Sequence, residues 1–193
     1  KIAVTGTANV TGTVYGGYTD AAGGKARGNT VTIESAVHDV VGGEGAGEAT
    51  GNTVNIRANA AAVTGGRSMG AASNNIVNLG NVTVASVTGG EGATTKKNIV
   101  NLNGGVTVNG AIKGGTGTPG AAGEENKLNV KGTNSAQSIS NFQKLHFDTT
   151  GATATNPLLN ITGGATNLDW NTLDASGTSV NRTTLLKNMN GIN

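Results

Sequence analysis

Side chains able to do chemistry are few in this chain and widely spaced. Eleven are Asp or Glu, two are His and none is Cys. Acid–base cleavage of a sugar needs two carboxylates facing one bond. The nearest approach is Glu44, Glu48 and Glu91, which occupy Gly-rich stretches of one kind and would fall on one edge of adjacent coils in a coiled chain. Charges on exposed turns ordinarily serve solubility, and these three, like the adjacent Glu124 and Glu125, are read that way. His38-Asp39 resembles two members of a nucleophilic triad but has no Ser on a strained turn beside it. His146 stands between Leu145 and Phe147, so strand alternation turns it outward. Two His without Cys argue against a structural zinc site. The stretch GGEGAGEAT (42–50) lacks the Asp of calcium-binding nonapeptides. Gly23-Gly24-Lys25 lacks the rest of a phosphate loop. No metal and no cofactor is expected. Tyr15 and Tyr18, flanking a Gly pair, are candidate ligand contacts for a sugar ring or covers for the end of a stack.

The elements that would position these residues follow from composition and repeats. Gly supplies 33 of 193 residues, aromatics 3% and charged residues 12%, with a formal net charge of +2. Gly without a triplet period is not collagen. Abundant Val, Ile and Thr with little net charge argue for order rather than disorder. The basic residues are scattered, with Lys96-Lys97 the one adjacent pair, so no nucleic-acid partner is expected. No apolar run reaches membrane-spanning length.

Five segments align: GNTVTI (28–33), GNTVNI (51–56), NNIVNL (74–79), KNIVNL (97–102) and ENKLNV (125–130). Their Asn29, Asn52, Asn75, Asn98 and Asn126 recur at intervals of 23, 23, 23 and 28 residues. A Gly-Gly pair recurs between them, at 16–17, 42–43, 65–66, 89–90 and 114–115, at intervals of 26, 23, 24 and 25. Two landmarks sharing one period mark a repeat architecture. Within each segment apolar and polar residues alternate. Val31/Ile33, Val54/Ile56, Val77/Leu79, Val100/Leu102 and Leu128/Val130 form two inward columns, and Val14, Val40, Val63, Val87 and Ile112 a third. The expectation is an all-β fold, a single-stranded parallel β-helix (a right-handed β-solenoid) with about 23–25 residues per coil. The Asn column is predicted to form a hydrogen-bonded ladder at a corner, the Gly pairs to supply turns with positive φ, and the Gly-rich linkers to be surface loops.

Residues 1–147 read as regular coils and 148–193 as irregular coils or a cap of the same domain. ISNFQKLHF (139–147) is expected as one strong strand. The larger apolar residues after residue 130, Phe142 and Phe147 among them, suggest a wider coil or a cap. Trp170 and Leu185-Leu186 suggest a terminus or a transition. Ile2, Val4, Val10 and Val14 already follow the strand theme with no polar cap before them, so further coils are expected upstream.

VYGGYT (14–19), a Gly-rich loop, GNTVTI and the closing SISNFQKLHF together resemble passenger domains of Gram-negative autotransporter (type V secreted) adhesins of the repeat-bearing type. The likeness spans about residues 1–147. It implies a right-handed parallel β-helix displayed at the cell surface, outside the outer membrane, by a C-terminal β-barrel. The partners it implies are a host-cell or bacterial surface protein or glycan, together with further coils of the same polypeptide. Two function classes stand: an adhesin or stalk, which is not an enzyme, and a carbohydrate-active enzyme (polysaccharide lyase or glycosidase) on the same fold. An enzyme should cluster charge on one strand face, whereas the outward positions Thr32, Asn55, Asn78, Asn101 and Asn129 are uncharged, which favours the adhesin or stalk.

Overall fold

The structure, a computed structural model, describes residues 1–150, 152, 156–169, 172–177 and 186–188. Trp170 and Leu185 lie outside the described residues. The chain winds about seven times as a right-handed all-β solenoid. Alternation of β-branched and polar residues makes each segment fit a pleated surface with one dry face. Coil stacking then supplies the partner strands, and all the strand pairs are parallel.

Among the described residues, four parallel sheets run along the axis. The first contains Ile2–Val4, Thr30–Ile33, Thr53–Ile56, Ile76–Leu79, Ile99–Asn103, Lys127–Lys131, Lys144–Asp148 and Leu173–Ser176. Register is direct: Val54, Val77, Val100 and Leu128 align in one column, and Ile56, Leu79, Leu102 and Val130 in the next. These side chains are buried. Each contributes about 1.5–3 kcal/mol relative to exposure. The second sheet begins with Val10–Tyr15 and Val37–Val41 and carries the third column, Val14, Val40, Val63, Val87 and Ile112.

The Gly-rich linkers are not loops. They build a third sheet (Tyr18–Thr19, Glu44–Gly45, Arg67–Ser68) and a fourth (Lys25–Arg27, Glu48–Thr50, Ala71–Ser73, Thr94–Lys96, Thr118–Pro119). Their strands are two or three residues long and rich in Gly and Ala, too short for period-two alternation to stand out. The Gly pairs do not have positive φ either. Left-handed backbone falls one residue before the ladder Asn, at Gly28, Gly51, Asn74 and Lys97. What excludes a side chain from the pairs is contact. A methyl on Gly42 would overlap the carbonyl oxygen of Gly65, and one on Gly43 would overlap the Asn52 amide.

Coil length is more elastic than the repeat suggests. Three successive steps along the Asn column are 23 residues, the next 28 and the one after it only 17. The short step explains the departures after residue 130. ISNFQKLHF is not one strand: Asn134–Phe142 lies in the second sheet and Lys144–Asp148 in the first, with Asn141 at φ 59 and Gln143 between them. This coil has no strands in the third and fourth sheets. The larger apolar residues therefore belong to a shorter coil rather than a wider one. Phe142 and Phe147, both fully buried, fill space that more numerous small residues fill elsewhere. Among the described residues the third sheet ends with Arg67–Ser68 and the fourth with Thr118–Pro119. The first two continue past residue 147, through Leu159–Ile161, Leu173–Ser176 and Leu186–Asn188.

Candidate functional site: a ladder-built scaffold and an acidic groove

The Asn column is a ladder at the corner leading into the first sheet. Asn75 shows the pattern. Its Nδ2 donates to Asn98 Oδ1 (3.0 Å) and to the Ala49 carbonyl (3.1 Å), and its backbone N–H donates to Asn98 Oδ1 (3.1 Å). Its own Oδ1 accepts from the backbone N–H and Nδ2 of Asn52. Asn52, Asn75, Asn98 and Asn126 are completely buried, and Asn29 is half-buried at the first rung. A buried amide is tolerated when its donors and acceptors are all used, as here. Gln143 takes over at the short coil, its Oε1 accepting from the Asn126 N–H at 3.2 Å. Sequence alignment missed it because the residue type and the interval both change.

A second amide ladder runs along the outward face of the first sheet. Asn55, Asn78, Asn101 and Asn129 each donate Nδ2 to the residue in the preceding coil, at 2.6–3.4 Å. It breaks where His146 follows Asn129, leaving Asn129 Oδ1 buried without a partner among the described residues. His146 is turned outward as alternation requires, and it bonds the other way. Its Nδ1 lies 2.5 Å from Asp174 Oδ1, and its Nε2 lies 3.1 Å from Ser176 Oγ. That is the order of groups a serine nucleophile uses, brought together from residues 28 and 30 positions apart. No sequence motif signalled it. Asp174 is 68% exposed. His38 and Asp39 are 3.2 Å apart, and Asp39 Oδ1 also accepts from the Ala62 N–H.

The carboxylates are tied to cations across coils. Glu48 meets Arg27 Nη2 at 2.5 Å, Glu34 meets Arg57 at 3.0 Å, and Glu124 meets Lys96 at 2.9 Å. Glu125 lies 3.6 Å from Lys144, and Asp148 lies 3.2 Å from Lys131. Hydrogen bonds from Thr150, then from Lys131, hold the Asp148 carboxyl at about 2. Among the described residues no three His, Cys, Asp or Glu side chains gather as a metal centre would need.

One concave surface gathers polar and aromatic groups. On the third sheet, register places Tyr18, Glu44 and Arg67 in consecutive coils, and an isolated bridge extends the column to Glu91. Arg67 Nη1 donates to Glu44 Oε2 (3.1 Å) and its Nε to Glu91 Oε2 (2.9 Å). Burial works against its charge, and the hydrogen bonds that Arg67 donates to Glu91 and Glu44, with the attraction of their charges, outweigh that and raise its pKa. Glu44 and Glu91 are thus brought together through Arg67, while Glu48 sits in the fourth sheet and belongs to another cluster. Beside the column lies a groove of about 360 Å³ lined by Tyr18, Asp20, Glu44, Arg67, Met69 and Glu91, among others. Tyr18 is 59% exposed and Met69 84%. Tyr15 does not line the groove. Its ring meets Tyr18 edge-on, centroids 5.3 Å apart at 65°, and so braces it. Sequence reading singled out Tyr18 but not Arg67 or Met69, whose convergence depends on coil register.

No protein-family model matches the chain, and neither a curated protein nor a solved structure matches it.

Proposed function

We propose that this chain is a surface-displayed segment of a type V secreted (autotransporter) passenger, serving as adhesin or stalk outside the outer membrane of a Gram-negative bacterium. A C-terminal β-barrel anchors the whole, and the partners are a host-cell or bacterial surface protein or glycan. The observation that carries this reading is the pair of amide ladders running coil to coil. They run along a rod whose first-sheet face is polar and carries the uncharged Thr32, Asn55, Asn78, Asn101 and Asn129 in successive coils, while Glu34, Glu44, Glu48, Glu91 and Glu124 are engaged in cross-coil ion pairs. Strand spacing of about 4.8 Å per coil gives seven coils a reach of roughly 30 Å, which further coils would extend.

Beads coated with the folded segment test this reading. Adherence to host cells or partner bacteria above that of beads coated with an unrelated β-solenoid supports an adhesin. Chain-length-dependent stand-off without adherence supports a stalk. Turnover of a polysaccharide by the purified chain would overturn both.

A further inference from the structure

We infer that the groove beside the third sheet is a docking site for a cationic side chain, lysine or arginine, presented by a partner protein. The proposal deepens the display reading and rests on it only for the partner being an external protein. The preference for a cation stands on the groove's own residues.

Three carboxylates line the groove, from Asp20, Glu44 and Glu91, against the single guanidinium of Arg67. Arg67 occupies one oxygen of Glu44 and one of Glu91. The second oxygens remain, and Asp20 has no hydrogen-bond or ion-pair partner among the described residues. The surplus is two negative charges, in a concave surface that focuses their field. An anionic ligand would be repelled. The acceptor-rich lining calls for a ligand rich in donors.

The apolar half of the argument is independent of charge. Four large hydrophobic residues are exposed among the described residues, and two of them, Tyr18 and Met69, line this groove. Single exposed apolar residues are ordinary, whereas several on one concavity mark an interaction surface. Tyr15 packs edge-on against the Tyr18 ring, which stays 59% exposed and open to a cation. Lysine and arginine combine an apolar stem with a donor-only head. The stem matches Met69, and the head matches Tyr18 and the free carboxylate oxygens. A neutral sugar would use the ring and the acceptors but leaves the surplus charge without a role.

The chain has two methionines, Met69 and Met189, so methyl-labelled protein gives two resonances. Pentalysine is titrated at low salt, with pentaglutamate and a neutral trisaccharide as the other arms. The expected result is a saturable shift of the Met69 methyl with pentalysine. Affinity should fall about tenfold on going to roughly 0.3 M salt, because exposed charges are then screened. Tyr18→Ser and Asp20→Asn, both surface changes, should each weaken the response at least threefold while leaving the amide spectrum of the first sheet unchanged. A Met69 shift that is larger with the trisaccharide or pentaglutamate, or one insensitive to both substitutions, would overturn the proposal. Failure here with intact bead adherence removes the groove's role alone, whereas loss of adherence with normal pentalysine binding removes the display reading alone.

Discussion

Replacing Asn75 with Ala should destabilise the solenoid out of proportion to the atoms removed. The amide is completely buried. Its loss orphans the Asn52 backbone N–H, one Asn52 Nδ2 proton and the Ala49 carbonyl, which now bond it at 3.1, 2.9 and 3.1 Å. Each unsatisfied buried polar group costs about 1–3 kcal/mol. Water entering the vacated space recovers part of this, so the net effect is about 3–5 kcal/mol. Asn78→Ala is the control. It deletes the same amide from the outward ladder, where the bonds are 2.8 and 2.6 Å but water can replace them, and it should cost about 1 kcal/mol. Guanidinium unfolding followed by far-ultraviolet dichroism gives both numbers. Hydrogen exchange locates the damage, with the Asn52 amide losing protection in the first variant. A cost under about 1 kcal/mol for Asn75→Ala, or equal costs for the two variants, would refute the reasoning.

Gly65→Ala should cost about 3 kcal/mol or more, because its methyl overlaps the Gly89 carbonyl and presses on Asn75 and Val77. Gly12→Ala, with nothing within 4 Å, should stay within about 0.5 kcal/mol; similar melting temperatures for the two variants would contradict the packing role of the pairs. Asp148, held at about 2, and Glu48, Glu124 and Glu125, all held below their ordinary range, have folded pKa values below their unfolded ones. Their contribution is complete above about pH 5 and is lost as pH falls from about 4 toward 2. A thermal-melt series should therefore be flat from pH 7 to 5 and decline below 4, and a melting temperature that rises on acidification would reverse the sign. Finally, a serine-directed fluorophosphonate should leave Ser176 unmodified by mass spectrometry, despite its bond to His146. Stoichiometric labelling abolished by His146→Ala would make the Asp174, His146 and Ser176 chain catalytic.

The solenoid was legible because its first sheet repeats in two independent features, an amide and an alternating apolar pair, at one interval. Val77 between Ile76 and Asn78 announces both its strand and its buried face. The third and fourth sheets were hidden because strands such as Glu44–Gly45 are shorter than one alternation period and carry the Gly expected of loops. The glycine pairs were placed correctly but explained wrongly: sequence gives composition, whereas the carbonyl of the next coil that forbids a side chain appears only after stacking. The short coil escaped for a related reason, since Gln143 does the work of Asn at an interval of 17. Of the groove, Tyr18 stood out by its rarity. Arg67 and Met69 did not, because nothing local to either residue reports that Glu44 and Glu91 lie one coil away on each side.

The measurement that bears most directly on surface display is immunogold labelling of intact cells of the organism that makes this chain, using antibodies raised against the folded segment. The account predicts label on the outer face of unpermeabilised cells, removed by brief protease treatment that leaves periplasmic markers intact. Label that appears only after permeabilisation would contradict it.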